Sequence, residues 1–203
     1  MLKIRHTEKL IEGGCDEAGR GCLSGPVYAA AVILPDDFEH PLLNDSKKIS
    51  EKNRYLLREF IIKNALDWAV GIVDNKEIDK INILNASIEA MHRALSQLKT
   101  KPEFILVDGN KFKQYKKIKH QTIVHGDGIY ASIAAASILA KTFRDDYMIK
   151  LHEDFPQYNW IKNKGYATPM HKKSVLEYGL TDYHRKTFCS FYFQREIVFP
   201  KHN

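Results

Sequence analysis

One stretch of this 203-residue chain limits its possible folds more than any other: Val27-Tyr28-Ala29-Ala30-Ala31-Val32-Ile33-Leu34. It is too short to span a bilayer. It is also too uniformly apolar for one face to meet water. Such a run reads as a strand buried on both faces, inside a sheet that helices cover on either side. Leu10 to Asp16 reads as a first strand that ends at its carboxylates, and the short connection to Val27 predicts antiparallel pairing. Trp68 to Asp74, Phe104 to Val107 and Gln121 to Val124 read as further strands. Ser50 is a candidate N-cap, with Glu51 in the first turn and Leu56, Leu57, Phe60 and Ile61 on the inner face of the helix. Leu84, Ile88, Met91, Leu95 and Leu98 form a second helical stripe, and Ile129 to Lys150 a third helix that Phe155-Pro156 breaks. The expected fold is α/β. A mixed five-stranded sheet flanked by helices occupies residues 1–155, and a small, mostly helical C-terminal subdomain occupies residues 156–203.

Chemistry concentrates where these strands end. Gly14-Cys15-Asp16-Glu17-Ala18-Gly19-Arg20-Gly21 sets two adjacent carboxylates before a Gly-Arg-Gly turn. Both acids are hard oxygen donors for a divalent cation. In an extended strand they leave on opposite faces, so one must bend back to share a site. Glycines allow a tight turn that exposes peptide N–H groups, and Arg20 adds a fork suited to phosphate. Taken alone, the stretch reads equally well as a polar turn with a solvated acidic pair.

Val107-Asp108-Gly109 and His125-Gly126-Asp127-Gly128 repeat the strand–acid–glycine arrangement, and α/β sheets gather their sites at the carboxyl ends of strands. Clustered carboxylates raise one another's pKa unless a cation sits among them, so the set implies one or two Mg²⁺ or Mn²⁺ ions. The residues alone do not choose between Asp127 and Asp145 as the fourth acid. Asp145 and Asp146 suit salt bridges on the last turns of their helix. Ser137, Lys141 and Arg144 share one polar strip on that helix by spacing.

The formal net charge is +6 and the sequence pI about 9.1, a moderate signal for a polyanionic partner. Lys47 and Lys48 approach the Ser50 cap, and Lys111, Lys113, Lys116, Lys117 and Lys119 follow Asp108. The C-terminal part interleaves Tyr158, Trp160, Lys162, Lys164, Tyr166, His171, Tyr183, His184 and Arg185, a composition that suits base stacking and phosphate contact. Thr168-Pro169 reads as a helix start and Gly179 as its C-cap. Three cysteines without a C-x-x-C pair exclude a disulfide framework. The opening Met1 to His6 lacks the apolar stretch of a secretory signal. A cytoplasmic, monomeric protein that does not engage membranes is expected. Gln194 to Phe199 is read as a terminal strand or disordered tail.

With these stretches in hand, the sequence resembles the ribonuclease HII family. The resemblance rests on Asp16-Glu17-Ala18-Gly19-Arg20-Gly21, Gly25-Pro26-Val27, Asp45-Ser46-Lys47-Lys48, Val107-Asp108-Gly109, Gly126-Asp127, Ala135 to Lys141, and Gly165-Tyr166-Ala167-Thr168 with His171. It implies an RNase H-like core and a metal-dependent endoribonuclease. That enzyme would cut the RNA strand of RNA/DNA hybrids and cut 5′ to single ribonucleotides in duplex DNA, leaving 3′-hydroxyl and 5′-phosphate ends. It also implies that Asp16, Glu17 and Asp108 hold Mn²⁺ or Mg²⁺, with Asp127 completing the catalytic set. Gly19, Arg20, Gly21 and Tyr166 would read the ribose 2′-hydroxyl. Lys47, Lys48, Ser137, Lys141, Thr168 and His171 would contact phosphates. Cys22 and Ala167 stand where the family usually carries proline. A junction resolvase would share the acids but needs no 2′-hydroxyl reader. A noncatalytic hybrid binder would gain nothing from acids beside phosphate.

Overall fold

The structure, a computed structural model, describes residues 2–7 and 9–197. Its order is β1 (Glu12–Ala18), β2 (Val27–Ile33), α1 (Glu51–Asn64), β3 (Asp67–Val73), α2 (Asn75–Gln97), β4 (Phe104–Asp108), β5 (Lys119–Ile123), α3 (Ala131–Asp154), α4 (Trp160–Asn163), α5 (Pro169–Tyr178) and α6 (Ser190–Ile197). The five strands form one mixed sheet in the order β3-β2-β1-β4-β5. β2 runs antiparallel to β1 and β3, whereas β4 runs parallel to β1 and β5.

The pleat of β2 explains its unbroken apolar sequence. Val27, Ala29, Ala31 and Ile33 pack with Ala90, Met91, Ala94 and Leu95 of α2. Ala30 and Val32 pack on the other face with Leu57 and Ile61 of α1 and with Ala135, Ala136 and Leu139 of α3. Small residues let α3 approach closely. A third cluster joins Met148 and Leu151 of α3 to Tyr158, Trp160 and Val175, and seats the C-terminal segment on that helix.

Three sequence expectations shift. β1 does not stop at Asp16 but runs through Glu17 to Ala18, because Glu17 and Ala18 still pair with Ala29 and Tyr28 of β2. Leu56 is 55% exposed, since the buried stripe of α1 is Leu57 and Ile61, one turn apart. Within the Gln194 to Phe199 tail, residues up to Ile197 belong to α6 rather than to a strand, and 198–199 lie outside the described residues. The Ser50 cap holds, its side chain accepting from Asn53 N, and Thr168 caps α5 by accepting from His171 N.

The aromatic and basic residues of the C-terminal part divide between surface and interior. Tyr158, Trp160, His171, His184 and Arg185 are buried, which overturns their expected place in an open groove. Trp160 Nε1 donates to His171 Nε2 at 3.0 Å, and His171 Nδ1 donates to the Tyr166 carbonyl at 2.9 Å. Thr181 N donates to His184 Nδ1 at 3.0 Å, so His184 Nε2 carries the proton it gives to His171 Nε2 at 3.2 Å. Both imidazoles are then neutral, and the one lone pair of His171 Nε2 is shared between two donors. Burial, and then the neighbouring His171, push the His184 pKa from its usual 6.5 down to about 3.

The pH sign follows from linkage. Between those two values the unfolded chain binds a proton at His184 that the folded chain refuses. Stability contributed by the neutral ring is therefore complete above pH 6.5 and lost as pH falls, by about 1.4 kcal/mol per unit from this group. Urea unfolding at pH 7.5 and 5.5 is expected to show a smaller loss on acidification in His184→Gln than in wild type. Equal losses would exclude His184 as the source.

Candidate active site

The sheet brings three of the predicted acids together. Cys15 of β1 pairs in parallel with Val107 of β4, so the next residues along each strand, Asp16 and Asp108, stand side by side at the carboxyl end of the sheet. Asp16, Glu17 and Asp108 line one cleft of about 340 Å³ with Gly19, Arg20, Gly21, Ser46, Arg54, Ser137, Lys141 and Tyr166. A larger cleft of about 510 Å³, between Leu2, Ile4 and the Asp36–Pro41 loop, lies past the opposite end of β2, away from these acids.

Each acid is held. Asp16 Oδ1 accepts from Glu17 N at 2.7 Å, Glu17 Oε1 pairs with Arg20 Nη1 at 3.0 Å, and Asp108 Oδ1 accepts from Gly126 N at 2.7 Å. The last bond ties Asp108 to the Gly126–Gly128 turn that carries Asp127. Asp127 itself is buried and does not line the cleft. Burial, then the charges of Glu17 and Asp108, hold the Asp16 carboxyl well above the usual carboxylate range. Burial also raises Glu17, with Arg20 opposing.

Hard oxygen donors that repel one another suit a hard divalent cation, which would restore their ionised forms. Among the described residues no three such side chains already converge at ligand distance, so the fit lies in donor chemistry and charge.

The other predicted residues sort by position. Ser137 and Lys141 reach the cleft from α3, with the Ser137 hydroxyl 3.0 Å from that of Ser46 and Lys141 paired to Asp145 at 2.7 Å. Asp146 pairs with Arg58, as expected of a salt-bridge partner. Arg144 leaves the expected polar strip: the turn after β1 covers it completely. His171 is wholly buried with both ring nitrogens engaged, so the phosphate contact expected of it is not available. The Thr168 hydroxyl is engaged as the α5 cap. Lys48 is exposed beside the cleft residue Ser46, and the Lys47 side chain lies outside the described residues.

Tyr166 is 38% exposed and faces the cleft. Its backbone bridges to Cys22, and its ring lies 5.4 Å from Lys141 Nζ. Burial first, and Cys22 second, push its hydroxyl up to about 12, so it is a neutral donor at physiological pH.

Sequence reasoning missed Ser46 and Arg54 as lining residues. Arg54 follows the Ser50 cap by one turn and folds back to the carbonyls of Ser46 and Ile49 at 3.2 and 2.6 Å. That i, i+4 placement beside a capping serine was its only signal.

A family model described as Ribonuclease HII matches residues 13–195. A ribonuclease HII from Bacteroides fragilis is 66% identical over 188 residues, covering 93% of this chain and 94% of the relative. The crystal structure of the ribonuclease H2 from Pyrococcus horikoshii OT3 superposes with a TM-score of 0.79 at 26% identity, covering 93% of this chain and 99% of that one. Bst-RNase HIII in complex with Mn²⁺ has the same fold, with a TM-score of 0.68 at 16% identity over 92% of this chain and 71% of its own.

Proposed function

This chain belongs to the ribonuclease HII family and is an endoribonuclease of the ribonuclease H type, and from that premise we propose that it cuts 5′ to single ribonucleotides embedded in duplex DNA. The observation that carries the reading is one cleft holding three acids beside the Gly19–Gly21 turn and the Tyr166 hydroxyl. The acids supply hydrolytic chemistry, and the turn and phenol supply donors for the 2′-hydroxyl that separates RNA from DNA.

Asp16, Glu17 and Asp108 would hold one or two divalent ions, Mg²⁺ or Mn²⁺, with Asp127 supporting Asp108 through the shared turn. The chemistry such ions would supply when bound is activation of a water and stabilisation of charge on the leaving oxygen. The protein positions the reacting strand. Lys141, Lys47 and Lys48 hold phosphate oxygens, Ser137 supports Asp16, and Tyr166 orients the ribose. Displacement of the 3′-oxygen leaves 3′-hydroxyl and 5′-phosphate ends. Of residues 156–203, the described part up to 197 completes the substrate groove, and 198–203 lie outside the described residues. The enzyme works as a monomer in the cytoplasm, where its buried free cysteines Cys15, Cys22 and Cys189 stay reduced. No described helix is long and apolar enough to cross a membrane.

The test compares a labelled DNA duplex carrying one ribonucleotide with an all-DNA duplex and an RNA/DNA hybrid, in Mg²⁺ or Mn²⁺. Cutting on the 5′ side of the ribonucleotide with all-DNA intact is the expected result. Cutting of the hybrid alone would overturn the single-ribonucleotide reading. Tyr166→Phe removes one hydroxyl donor and is expected to lower cleavage at the lone ribonucleotide about tenfold, close to the value of one hydrogen bond. The continuous hybrid, with many ribose contacts, is expected to lose less. An equal small loss on both substrates would reduce Tyr166 to packing.

A further inference from the structure

Two guanidinium groups lie wholly inside the protein, and neither meets a carboxylate in an ion pair among the described residues. Arg144 of α3 donates to the carbonyls of Ser24, Pro26 and Lys164 at 3.2, 3.0 and 2.8 Å. Arg185, which follows α5, donates to those of Gly19, Arg20 and Gly25 at 2.7, 2.8 and 3.0 Å. Burial pulls the Arg185 pKa only to about 10, so the group is a cation at neutral pH. A buried cation without an anion is expensive unless dipoles surround it. Here those dipoles are the carbonyls of the turn that faces the acids.

The geometry of the peptide unit gives this clamp a consequence. In a trans peptide the C=O of one residue and the N–H of the next point in opposite directions. Arg185 draws the Gly19 and Arg20 carbonyls inward. The N–H groups of Arg20 and Gly21 therefore point outward, toward the cleft that both residues line. Among the described residues neither N–H donates to a backbone carbonyl outside the regular elements. The turn cannot relax inward, because a Cβ at Gly19 would lie 2.0 Å from Arg144 Nε, while at Gly21 a Cβ would meet nothing within 4 Å. Arg144 is the floor, Arg185 the clamp, and Gly21 the open side.

We propose that Arg185 is a positioning residue for ribose recognition, holding two consecutive carbonyls so that the Arg20 and Gly21 amides form a paired donor for the 2′-hydroxyl. The inference rests on the reading of this turn as the ribose reader and adds the group that aims it. Lysine cannot take the role: an ammonium keeps the charge but lacks the planar fork that fixes three carbonyls at once.

Arg185→Lys is the test, measured beside wild type on the lone-ribonucleotide, all-DNA and hybrid duplexes. Expected for the variant is a fall in kcat at the lone ribonucleotide of about tenfold or more, with KM for the duplex within about threefold, the pattern of an interaction that matters most in the transition state. Millimolar guanidinium is expected to restore part of that kcat in Arg185→Ala. Wild-type cutting at the ribonucleotide together with an unchanged kcat in Arg185→Lys would overturn the clamp alone. A wild type that cuts neither ribonucleotide substrate would take down the functional reading and the inference with it. If Arg185→Lys does not fold, wild-type amide NMR decides. In metal-free buffer the Arg20 and Gly21 N–H resonances are expected to move with the ribonucleotide-bearing duplex and stay put with all-DNA. Amides that ignore the ribonucleotide would overturn the proposal.

Discussion

Asp16→Asn is expected to abolish cleavage and to raise the melting temperature of the metal-free protein. Asp16 is 6% exposed, and burial, Glu17 and Asp108 all push its carboxyl toward the protonated form. In the folded chain its pKa lies above the ordinary carboxylate value, so the sign of linkage is the reverse of the usual acid. Stability is complete while the group is protonated in both states and falls as pH rises from the unfolded value through the folded one. Above the ordinary carboxylate pKa the folded protein therefore bears a cost, in keeping that proton or in carrying the charge, that asparagine lacks. The amide oxygen can still accept from Glu17 N, as Asp16 Oδ1 does at 2.7 Å. Removing such a strain is worth about 1–2 kcal/mol, or about 3–6 °C for a chain of this size. The same change removes a donor for the divalent ion, and loss of about 4 kcal/mol of charge stabilisation lowers the rate about a thousandfold. Differential scanning calorimetry with and without Mg²⁺ checks the first part, because cation binding should stabilise wild type and narrow the gap. Cleavage of the lone-ribonucleotide duplex checks the second. An Asp16→Asn protein that melts lower in chelator would overturn the strain at Asp16, and one that cleaves within tenfold of wild type would remove Asp16 from the metal set.

That trade of stability for charge was legible in the sequence only as a cluster of acids. The apolar run of β2 announced a strand covered on both sides, and an acid followed by glycine marked the end of β4. Both signals are local, and the structure keeps both. What the sequence hid depends on which surface another element covers. Arg144 stands at helical spacing from Ser137 and Lys141, yet the turn after β1 closes over it and leaves the other two in the cleft. His171, His184 and Arg185 carry residue types found mostly at surfaces, and their burial needs partners from segments far away in sequence, such as Gly19 and Gly25 for Arg185. The end of β1 is hidden from the sequence for a related reason. Its last residues are held by register with β2, which no pattern within β1 reports.

Gly14→Ala is expected to damage the fold severely. Gly14 pairs with Val32 on one side and Leu106 on the other, at the centre of the sheet and two residues before Asp16. A Cβ there would lie 2.3 Å from Ser132 C and 2.5 Å from Ile133 N, both backbone atoms in the first turn of α3. Flexible side chains can retreat from such an overlap, but a helix backbone pinned to a sheet cannot. The helix must move as a body, and overpacking of that kind costs about 3 kcal/mol or more. For a chain of this size that corresponds to a fall in melting temperature of about 6–12 °C. Activity should fall with it, because α3 carries Ser137 and Lys141 while β1 carries Asp16 and Glu17, and the overlap drives these elements apart. A displacement near 1 Å is enough to cost about a hundredfold in rate. Gly13→Ala is the internal control. Its Cβ would sit on the opposite face of the same strand, 3.3 Å from the Pro102 ring, which can yield. Thermal melts and single-turnover cleavage of both variants separate the outcomes. Comparable, small losses in the two proteins would mean that α3 adjusts freely over β1, and that the close contact at Gly14 does not set the spacing between the acids and the phosphate-facing helix.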